Sequence, residues 1–474
     1  MKLTKVRELR QVLHFNDLSS LSISSVAPIF SVAAAGPAMA QAAGVDVPIA
    51  ILMIAIPFVL CSWIFLSLNQ HFPNAGGSYH WSRRILGRNY SNFQAWIVLM
   101  AYFWSIPPIL LPAAQFTLAA LGAPSTSFNS LLLAGFWALF AAWVLLQGAA
   151  ITARITQIFL FIEVISVLFM AVLGYGHWGP AVAGTGKFSF LHIHWAGVVV
   201  CMVVAATIVD GWEIDTYAAE ESHKPRHTPG WGGVVGACSV VAYYLLIWPL
   251  LLHQVPLAGL QQSSDSLGLW TAQVAPTFVP WMRVAVIAST AGSLWLTTFI
   301  LSRALFAMGR DRIMPDSFTL LNRAQAPRWA ILVPIALSML IVMTQLFFPS
   351  TRSLFNLVLS AAGFFLVAEF LLDGVNMAYF LSRGHHHVVQ HQYRQLSRHR
   401  HLGLFLASIF VVLSLASVEV LFLYFGPQYI APGIDKTVLV FLVLGIGYVL
   451  YLRWRRHQHQ GTFIFETVEE NGVS

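Results

Sequence analysis

The sequence predicts an all-α polytopic membrane protein with twelve transmembrane helices. Of its 474 residues, 57% are hydrophobic and only 9% are charged, whereas soluble domains carry roughly a quarter charged residues. Between Arg88 and Arg154 there is no Asp, Glu, Lys or Arg, a stretch far longer than the ~20 residues that cross a bilayer core. A soluble protein is therefore excluded. The basic residues behind the net charge of +7 interrupt apolar runs and form no nucleic-acid-binding patch.

Twelve apolar runs are bounded by charged residues, Gly, Pro or polar clusters, and each is interpreted as one membrane-spanning helix. The long uncharged stretch is divided into two by a turn cluster at 122–127. The runs, numbered here spans 1 to 12, lie at about 19–42, 47–69, 90–121, 129–147, 151–174, 195–219, 232–253, 281–309, 329–348, 354–380, 402–424 and 436–452.

The distribution of Lys and Arg predicts that both termini are cytoplasmic. Counted from a cytoplasmic N-terminus, 22 of the 26 Lys and Arg residues fall on the cytoplasmic side, and only Lys187, Arg283, Arg352 and Lys436 fall outside. Positively charged loops are retained in the cytoplasm, so this alternation fits an even number of spans. The N-terminus has no signal-peptide pattern. We expect an integral protein of the plasma (inner) membrane, and its oligomeric state stays open.

A loose internal repeat indicates two inverted halves. The starts of spans 2 and 7, 3 and 8, and 4 and 9 are separated by 185, 191 and 200 residues. Because five is odd, two five-helix units would cross the membrane in opposite directions, an arrangement typical of secondary transporters. Twelve helices of similar length would also give near-constant offsets, so that alternative stays open.

The predicted organisation follows from these spans. It comprises a cytoplasmic N-terminus (1–18), a first repeat of spans 1–5 (19–174), a second repeat of spans 6–10 (195–380), a His-rich cytoplasmic loop (381–401), spans 11 and 12 (402–452) and a cytoplasmic tail (453–474). Histidine runs such as His385-His-His can bind metal or sense pH, but a solvated, weakly basic loop is the simpler interpretation. No metal site, cofactor motif or catalytic set is expected.

Span 1 is predicted to be broken because Pro28 lies in mid-membrane. Proline lacks an N–H and disfavours helix at the residue before it. A half-helix that starts near Pro28 would direct its N–H groups and positive dipole end at a bound carboxylate. The alternative is a proline kink satisfied by nearby hydroxyls. The stretch predicted to be non-helical and ligand-binding consists of Ser24, Ser25, Val26, Ala27, Pro28, Ile29 and Phe30.

Span 6 is predicted to be broken as well, since it carries Asp210, Gly211, Glu213 and Asp215 within an apolar run. Charge at that depth costs a few kcal/mol or more, so such groups are functional candidates. Gly211 permits unwinding, and Trp212 could close over a ligand. The alternative is a cluster solvated by a cytoplasmic vestibule. Further acids predicted within spans are Glu163, near the middle of span 5, and Glu369, Asp373 and Glu419.

Three further segments carry a resemblance to a known family. They are Phe72-Pro-Asn-Ala-Gly-Gly-Ser-Tyr-His-Trp after span 2, Asp210-Gly-Trp-Glu through Ala219-Glu-Glu-Ser-His-Lys-Pro, and Gly309-Arg-Asp-Arg-Ile-Met-Pro followed by Ala326-Pro-Arg-Trp-Ala. With the broken span 1, they resemble motifs of the amino acid/polyamine/organocation (APC) superfamily of permeases, along most of the chain. Two departures stand out: span 1 has no glycine before Gly36, and Arg312 replaces the usual glycine after Arg-Asp.

The resemblance implies a five-plus-five inverted-repeat fold with two C-terminal helices, and an amino acid or related amine bound between spans 1, 3, 6 and 8. In related exchangers the glutamate that matches Glu213 takes part in proton-linked gating, and some proton-coupled relatives carry a lysine near the position of Glu163. Glu213 and Glu163 are therefore the proton-coupling candidates. The remaining substrate-binding candidates are Tyr102, Ser105, Ile208, Asp210, Gly211, Trp212, Trp295 and Thr297.

The resulting expectation is a secondary active transporter that moves an amino acid or amino-acid-derived amine by alternating access, with proton-coupled uptake favoured. A substrate/product antiporter and a polyamine permease are alternatives, and sodium coupling stays open. A membrane-embedded enzyme is disfavoured because the acids lack His or Lys partners, and a channel would not require two broken helices. The expected partners are the substrate, protons and the bilayer, with no nucleic acid.

Overall fold

The structure, a computed structural model, describes residues 8–186, 189, 191–347, 351–383, 398–429 and 432–459. Within these ranges the chain is nearly all helical and has no β-strand, only two isolated bridges. Nine helical stretches of this part are long and apolar enough to cross a membrane, and two shorter apolar helices accompany them, Trp195–Val209 and Arg328–Met343. The prediction of an all-α integral membrane protein is confirmed, whereas the count of twelve and the inverted repeat stay predictions.

Every predicted span lies on one helix or on two consecutive helices. The helices are α1 (Phe15–Ser25), α2 (Pro28–Ala43), α3 (Val47–His71), α4 (Gly77–Ile85), α5 (Arg88–Ser105), α6 (Pro107–Leu121), α7 (Ser127–Leu146), α8 (Ala149–Gly176), α9 (Trp195–Val209), α10 (Ile214–Tyr217), α11 (Trp231–Gln254), α12 (Leu257–Gln262), α13 (Ser266–Val274), α14 (Val279–Arg310), α15 (Arg328–Met343), α16 (Thr351–Arg383), α17 (Arg398–Tyr429) and α18 (Ile434–His459).

Burial separates a central group of helices from a peripheral one. In the most apolar stretch of α14, 89% of the residues are buried, against 22% for α8 and 17% for α18. Exposed Leu, Val and Phe side chains on α8 and α18 suit contact with lipid tails rather than water. Helices α1, α2, α9 and α16 pack with α14 or with one another in the interior. Any site enclosed by protein therefore lies among these central helices.

The first helix break is shorter than the sequence predicts. Helix α1 continues through Ser25, and α2 starts at Pro28, leaving only Val26 and Ala27 between them. Pro28 is the first residue of α2, where its missing N–H is no loss, and this explains why Pro28–Phe30 is helical after all. Ala27 has φ 47° and ψ 63°, a left-handed conformation that costs a non-glycine residue about 1–2 kcal/mol.

The second break contacts the first. Helix α9 ends at Val209, Asp210 is extended, and Gly211 has φ 110°. A Cβ atom at Gly211 would lie 2.8 Å from the carbonyl carbon of Ser25. Glycine is therefore required here both by its positive φ and by the close approach of the two backbones. A four-residue helix, α10, and a single 3-10 turn at Ala219–Glu221 follow the break.

Three Arg–carboxylate pairs form a layer at the end of the bundle that carries the N-terminus. Val12 and Leu13 donate their N–H groups to the Glu221 carbonyl oxygen there, at 2.8 and 2.9 Å. The motif segments supply all three carboxylates and Arg310, whereas Arg83 and Arg303 lie just outside those segments. The pairs, called here the ion-pair layer, are Arg303–Glu221 at 2.8 Å, Arg310–Glu220 at 2.5 Å and Arg83–Asp311 at 3.0 Å.

Two groups beside the ion-pair layer hold fixed protonation states. Burial, and then the charge of Asp311, raise the pKa of the Tyr79 hydroxyl, which donates to Asp311 at 2.8 Å. Burial, followed by the positive charges of Arg84, Arg310 and Arg83, lowers the pKa of His80 to about 3. His80 is therefore neutral at physiological pH, and the positive charge of the layer comes from arginine.

Candidate functional site

A central cavity lies where the two helix breaks meet. The space free of atoms there is about 520 Å³ when the open mouth of the cavity is included. Its walls come from both broken helices and from α5, α6, α14 and α16. The lining residues are Ser25, Val26, Phe30, Ser31, Ala34, Ala35, Ser105, Pro108, Ile109, Thr207, Ile208, Asp210, Gly211, Ser293, Thr297, Phe355, Leu359 and Ala362.

The structure brings eight of the predicted substrate-binding residues to this lining. Four others lie at the first break without lining the cavity, and three project elsewhere. The eight are Ser25, Val26, Phe30, Ser105, Ile208, Asp210, Gly211 and Thr297; the four are Ser24, Ala27, Pro28 and Ile29; the three are Tyr102, Trp212 and Trp295.

The three predicted aromatic residues contact protein rather than the cavity. The indole N–H of Trp295 donates to the Thr156 hydroxyl on α8, at 3.0 Å. Trp212 packs its ring against Phe65 and Phe370. Tyr102 donates its hydroxyl to Glu213, as described below. Span membership was therefore not enough to place these side chains, because the rotation of each helix decides which side faces the cavity.

Sequence reasoning missed the wall formed by α16. Phe355, Leu359 and Ala362 line the cavity at spacings of four and three residues, which places them on one face of the helix. No pattern in the sequence marks this face of the helix, because α16 is apolar around most of its circumference near these positions. A contrast between polar and apolar faces is what normally reveals a helix orientation.

A second cavity adjoins the first and lies farther from the ion-pair layer. Ala34 and Phe355 line both cavities, and Pro37 and Ala38 continue the second one along α2. Because a helix rises about 1.5 Å per residue, Pro37 lies on the order of 15 Å beyond the break at Ala27. The central cavity therefore continues toward the face opposite the ion-pair layer.

Two buried polar atoms in the lining have no hydrogen-bond partner among the described residues. They are Oδ1 of Asp210 and Oγ of Ser25, and such orphaned groups are costly unless a ligand or water satisfies them. Asp210 is the single ionisable side chain of the described lining. The N–H of Phe30, expected to face a ligand, instead donates to the Ser289 hydroxyl at 3.1 Å.

Glu213 lies behind the cavity and ties the second break to α5. One carboxyl oxygen, Oε2, accepts the Gly211 N–H at 3.0 Å, and the other, Oε1, accepts the Tyr102 hydroxyl at 3.0 Å. Asp215, the third acid of this segment, has a different role. It accepts the N–H groups of Gly230 and Gly233 at 2.5 and 2.7 Å and thereby caps the start of α11.

Glu163 is fully buried on α8 behind the first break. Neither of its carboxyl oxygens forms a hydrogen bond with the described residues. The hydroxyls of Ser24 and Ser289 lie beside it, and Ser289 is already the acceptor for Phe30. A carboxyl group in this setting is costly to ionise.

No group of three or more His, Cys, Asp or Glu side chains in the described part of the chain is placed to hold a metal ion. The histidines expected to form a cytoplasmic cluster, His385 to His387 and His391, lie outside the described residues.

The fold and the site define an integral membrane protein with a partly polar cavity between two interrupted helices. The sequence matches the family model described as "Amino acid permease" over residues 13–452, so the chain belongs to the amino acid permease family. This confirms the resemblance to the APC superfamily and indicates a transporter, not an enzyme. The chain is also similar to the "Branched-chain amino acid permease BcaP" of Lactococcus lactis subsp. cremoris (strain MG1363), with 23% identity over 347 residues, covering 68% of this chain and 73% of that protein.

Proposed function

We propose that the protein is a secondary active transporter that takes up an amino acid with an apolar side chain, driven by protons. The observation that carries the proposal is the central cavity, which combines the orphaned polar atoms of Asp210 and Ser25 with otherwise largely apolar walls.

The two helix breaks suit the charged ends of an amino acid. The C-terminal end of α9 carries partial negative charge and Asp210 follows it directly, which favours an ammonium group. The N-terminal end of α2 carries partial positive charge, which favours a carboxylate. Because Gly211 packs against Ser25, both helix ends reach the same small molecule.

The remaining lining favours an apolar side chain. Phe30, Ile109, Ile208, Phe355 and Leu359 contribute aromatic or branched aliphatic groups, and the described lining contains no Lys or Arg to pair with an acidic substrate. The similarity to a protein named for branched-chain amino acids supports the same substrate class. Leucine, isoleucine and valine are therefore the proposed substrates.

Proton coupling is assigned to Glu213 and Glu163. Both are fully buried, and neither forms an ion pair with a cation among the described residues. Ionisation of such a group is expensive, so binding or release of a proton is expected to accompany movement of the surrounding helices. Glu213 lies beside the second break and Glu163 beside the first, where opening and closing of the cavity would alter their surroundings.

The proposal includes twelve crossings arranged as two inverted five-helix repeats, spans 1–5 (19–174) and 6–10 (195–380), plus two C-terminal helices. Both termini, and with them the ion-pair layer, would lie on the cytoplasmic side of the plasma (inner) membrane, as the Lys and Arg distribution favours. The cavity would then be closed toward the cytoplasm, and the second cavity would lead outward. Protease protection of tagged termini in oriented vesicles tests this topology.

A polyamine permease and a substrate/product antiporter are the alternatives. A polyamine carries two or more ammonium groups, whereas Asp210 is the single ionisable side chain in the described lining; this disfavours the first alternative. An antiporter would use the same cavity but would require a second substrate on the opposite side for every turnover.

Counterflow of labelled leucine in proteoliposomes tests the transport proposal. We expect unlabelled isoleucine and valine to compete, and glutamate, lysine and putrescine to compete weakly or not at all. We also expect a pH gradient, acidic outside, to drive accumulation in liposomes that hold no exchangeable amino acid. Preferred competition by putrescine would favour the polyamine permease, and uptake strictly dependent on an internal amino acid would favour the antiporter.

A further inference from the structure

A second pair of buried acids lies on α16, between the central cavity and the ion-pair layer. Glu369 follows the cavity-lining Ala362 by two helical turns, and Asp373 follows Glu369 by one more turn. Both side chains are fully buried, and neither forms an ion pair in the described part of the chain. Neither acid is among the proton-coupling candidates predicted from the sequence, which are Glu213 and Glu163.

The Tyr102 hydroxyl bridges Glu369 and Glu213. It lies 3.0 Å from Oε1 of Glu213 and 3.3 Å from Oε1 of Glu369. The same oxygen of Glu369 accepts the Tyr217 hydroxyl at 2.7 Å and the Ser78 hydroxyl at 2.9 Å. Two glutamates that are 156 positions apart in the sequence are therefore joined through a single tyrosine oxygen.

When both glutamates are ionised, this network has too few protons to form all of its hydrogen bonds. A hydroxyl has one proton to donate, and an ionised carboxylate can only accept. Tyr102 could then serve one glutamate but not both, leaving the other carboxylate facing an oxygen lone pair. One added proton on either carboxyl group satisfies both contacts, because the protonated acid donates to Tyr102 while Tyr102 donates to the other acid.

The groups that face Glu369 do not remove the need for this added proton. From α3 it faces Cys61, from α4 Ser78, from α5 Tyr102, from the second break Glu213 and Asp210, from α10 Tyr217, and from its own helix Asp373. None of these groups is a cation. The second oxygen of Glu369, Oε2, also has no hydrogen-bond partner among the described residues.

We propose that Glu369 is a second proton-binding site, which exchanges a proton with Glu213 through the Tyr102 hydroxyl. When the carboxyl proton of Glu369 passes to the Tyr102 oxygen, the original Tyr102 proton passes to the Glu213 carboxylate. One proton moves from one acid to the other, and the tyrosine ends neutral. The pair thus forms a proton path that leads from the substrate cavity toward the ion-pair layer, and this proposal rests on the proposed proton coupling.

Replacement of Glu369 by glutamine tests the path. Glutamine can accept the Ser78 and Tyr217 hydroxyls but cannot exchange a proton, so Glu369→Gln should lose pH-driven accumulation of labelled leucine while counterflow continues. With one proton per substrate, a gradient of about one pH unit supports about tenfold accumulation, and this ratio should fall toward one. The matched control is Glu419→Gln on α17. Glu419 is also buried, has no hydrogen-bond partner among the described residues, and lies outside this network, so this variant should retain accumulation.

The outcomes separate this proposal from the proposed function. If the wild-type protein shows no pH-driven accumulation, proton coupling itself is wrong. If the wild type accumulates leucine and Glu369→Gln does so equally, coupling stands and Glu369 is a hydrogen-bond acceptor only, which overturns the proposal.

Two further variants keep the test valid if Glu369→Gln folds poorly. Tyr102→Phe removes the bridging hydroxyl and should lower leucine-induced proton flux, recorded with a pH dye inside the liposomes, by at least about tenfold. Glu369→Asp retains a titratable group and should therefore keep part of the leucine-induced proton flux that Glu369→Gln loses. Equal flux in Tyr102→Phe and wild type would overturn the path, and a melting temperature for each variant separates loss of coupling from loss of folding.

Discussion

Glu221 of the ion-pair layer and the acids near the central cavity are buried to similar degrees but have opposite surroundings. Glu221 in the layer is contacted by Arg303 through two hydrogen bonds, at 2.8 and 3.0 Å. Among the described residues, Glu213 and Glu369 near the cavity are contacted by hydroxyls and one backbone N–H, and by no cation. A carboxylate paired with arginine can hold helices together, whereas a carboxyl group in the interior without a cationic partner is suited to bind and release a proton.

The largest expected effect comes from breaking the most buried pair of the layer. The side chains of Arg303 and Glu221 are 1% and 3% exposed, and removal of one partner leaves an uncompensated charge that costs about 3–5 kcal/mol. Arg303→Met should therefore sharply lower the melting temperature in detergent. The double variant Arg303→Met/Glu221→Gln should recover much of the loss. A single variant as stable as the wild type would show that the pair does not lock the bundle.

Glu213→Gln should abolish pH-driven accumulation of leucine and leave leucine binding. The amide oxygen can still accept the Gly211 N–H, and the amide NH2 can donate to the Tyr102 oxygen. The geometry of the break is therefore retained, but the side chain can no longer bind or release a proton. Accumulation in a pH gradient and ligand-induced thermal stabilisation measure the two properties separately. Unchanged uptake with an unchanged pH dependence would remove Glu213 from the coupling mechanism.

Two variants at Glu163 distinguish a proton-binding role of this residue from a purely structural one. If Glu163 cycles between protonated and ionised forms, Glu163→Gln should preserve exchange and lower gradient-driven uptake. A structural acid predicts instead that Glu163→Gln transports normally and that Glu163→Leu lowers the melting temperature. Exchange, gradient-driven uptake and melting temperature measured on both variants decide between the two roles.

The smallest expected effect concerns the most exposed pair of the layer. The side chains of Arg83 and Asp311 are 24% and 29% exposed, and partly hydrated pairs contribute about 1 kcal/mol or less. Arg83→Gln should therefore shift the melting temperature much less than Arg303→Met does. An equal shift in both variants would mean that burial does not set the strength of these pairs.

The sequence predicted the features that depend on local rules. Proline in mid-membrane marked the break before Pro28, and glycine among buried acids marked the break at Gly211, because each residue type limits or frees its own backbone. The length of the first break was overestimated. Proline that ends one helix can also begin the next, and only the structure shows that α2 starts at Pro28 itself.

Features that depend on helix rotation or on distant contacts could not be predicted. Trp295 and Thr297 are two residues apart on α14, yet only Thr297 lines the cavity, since α14 is buried on almost every side and its sequence shows no polar face. The link from Glu213 through Tyr102 to Glu369 joins the second break to α5 and α16. No spacing of residues along the chain predicts this link.

The most direct test of the contrast between paired and unpaired acids is proton movement coupled to leucine transport. Proteoliposomes that enclose a pH dye are given leucine without any preset pH gradient, and internal acidification is recorded. We predict that wild-type protein carries protons inward with leucine, that Glu213→Gln does not, and that Glu419→Gln behaves like the wild type. Leucine uptake without acidification in the wild type, or acidification that persists in Glu213→Gln, would contradict the account.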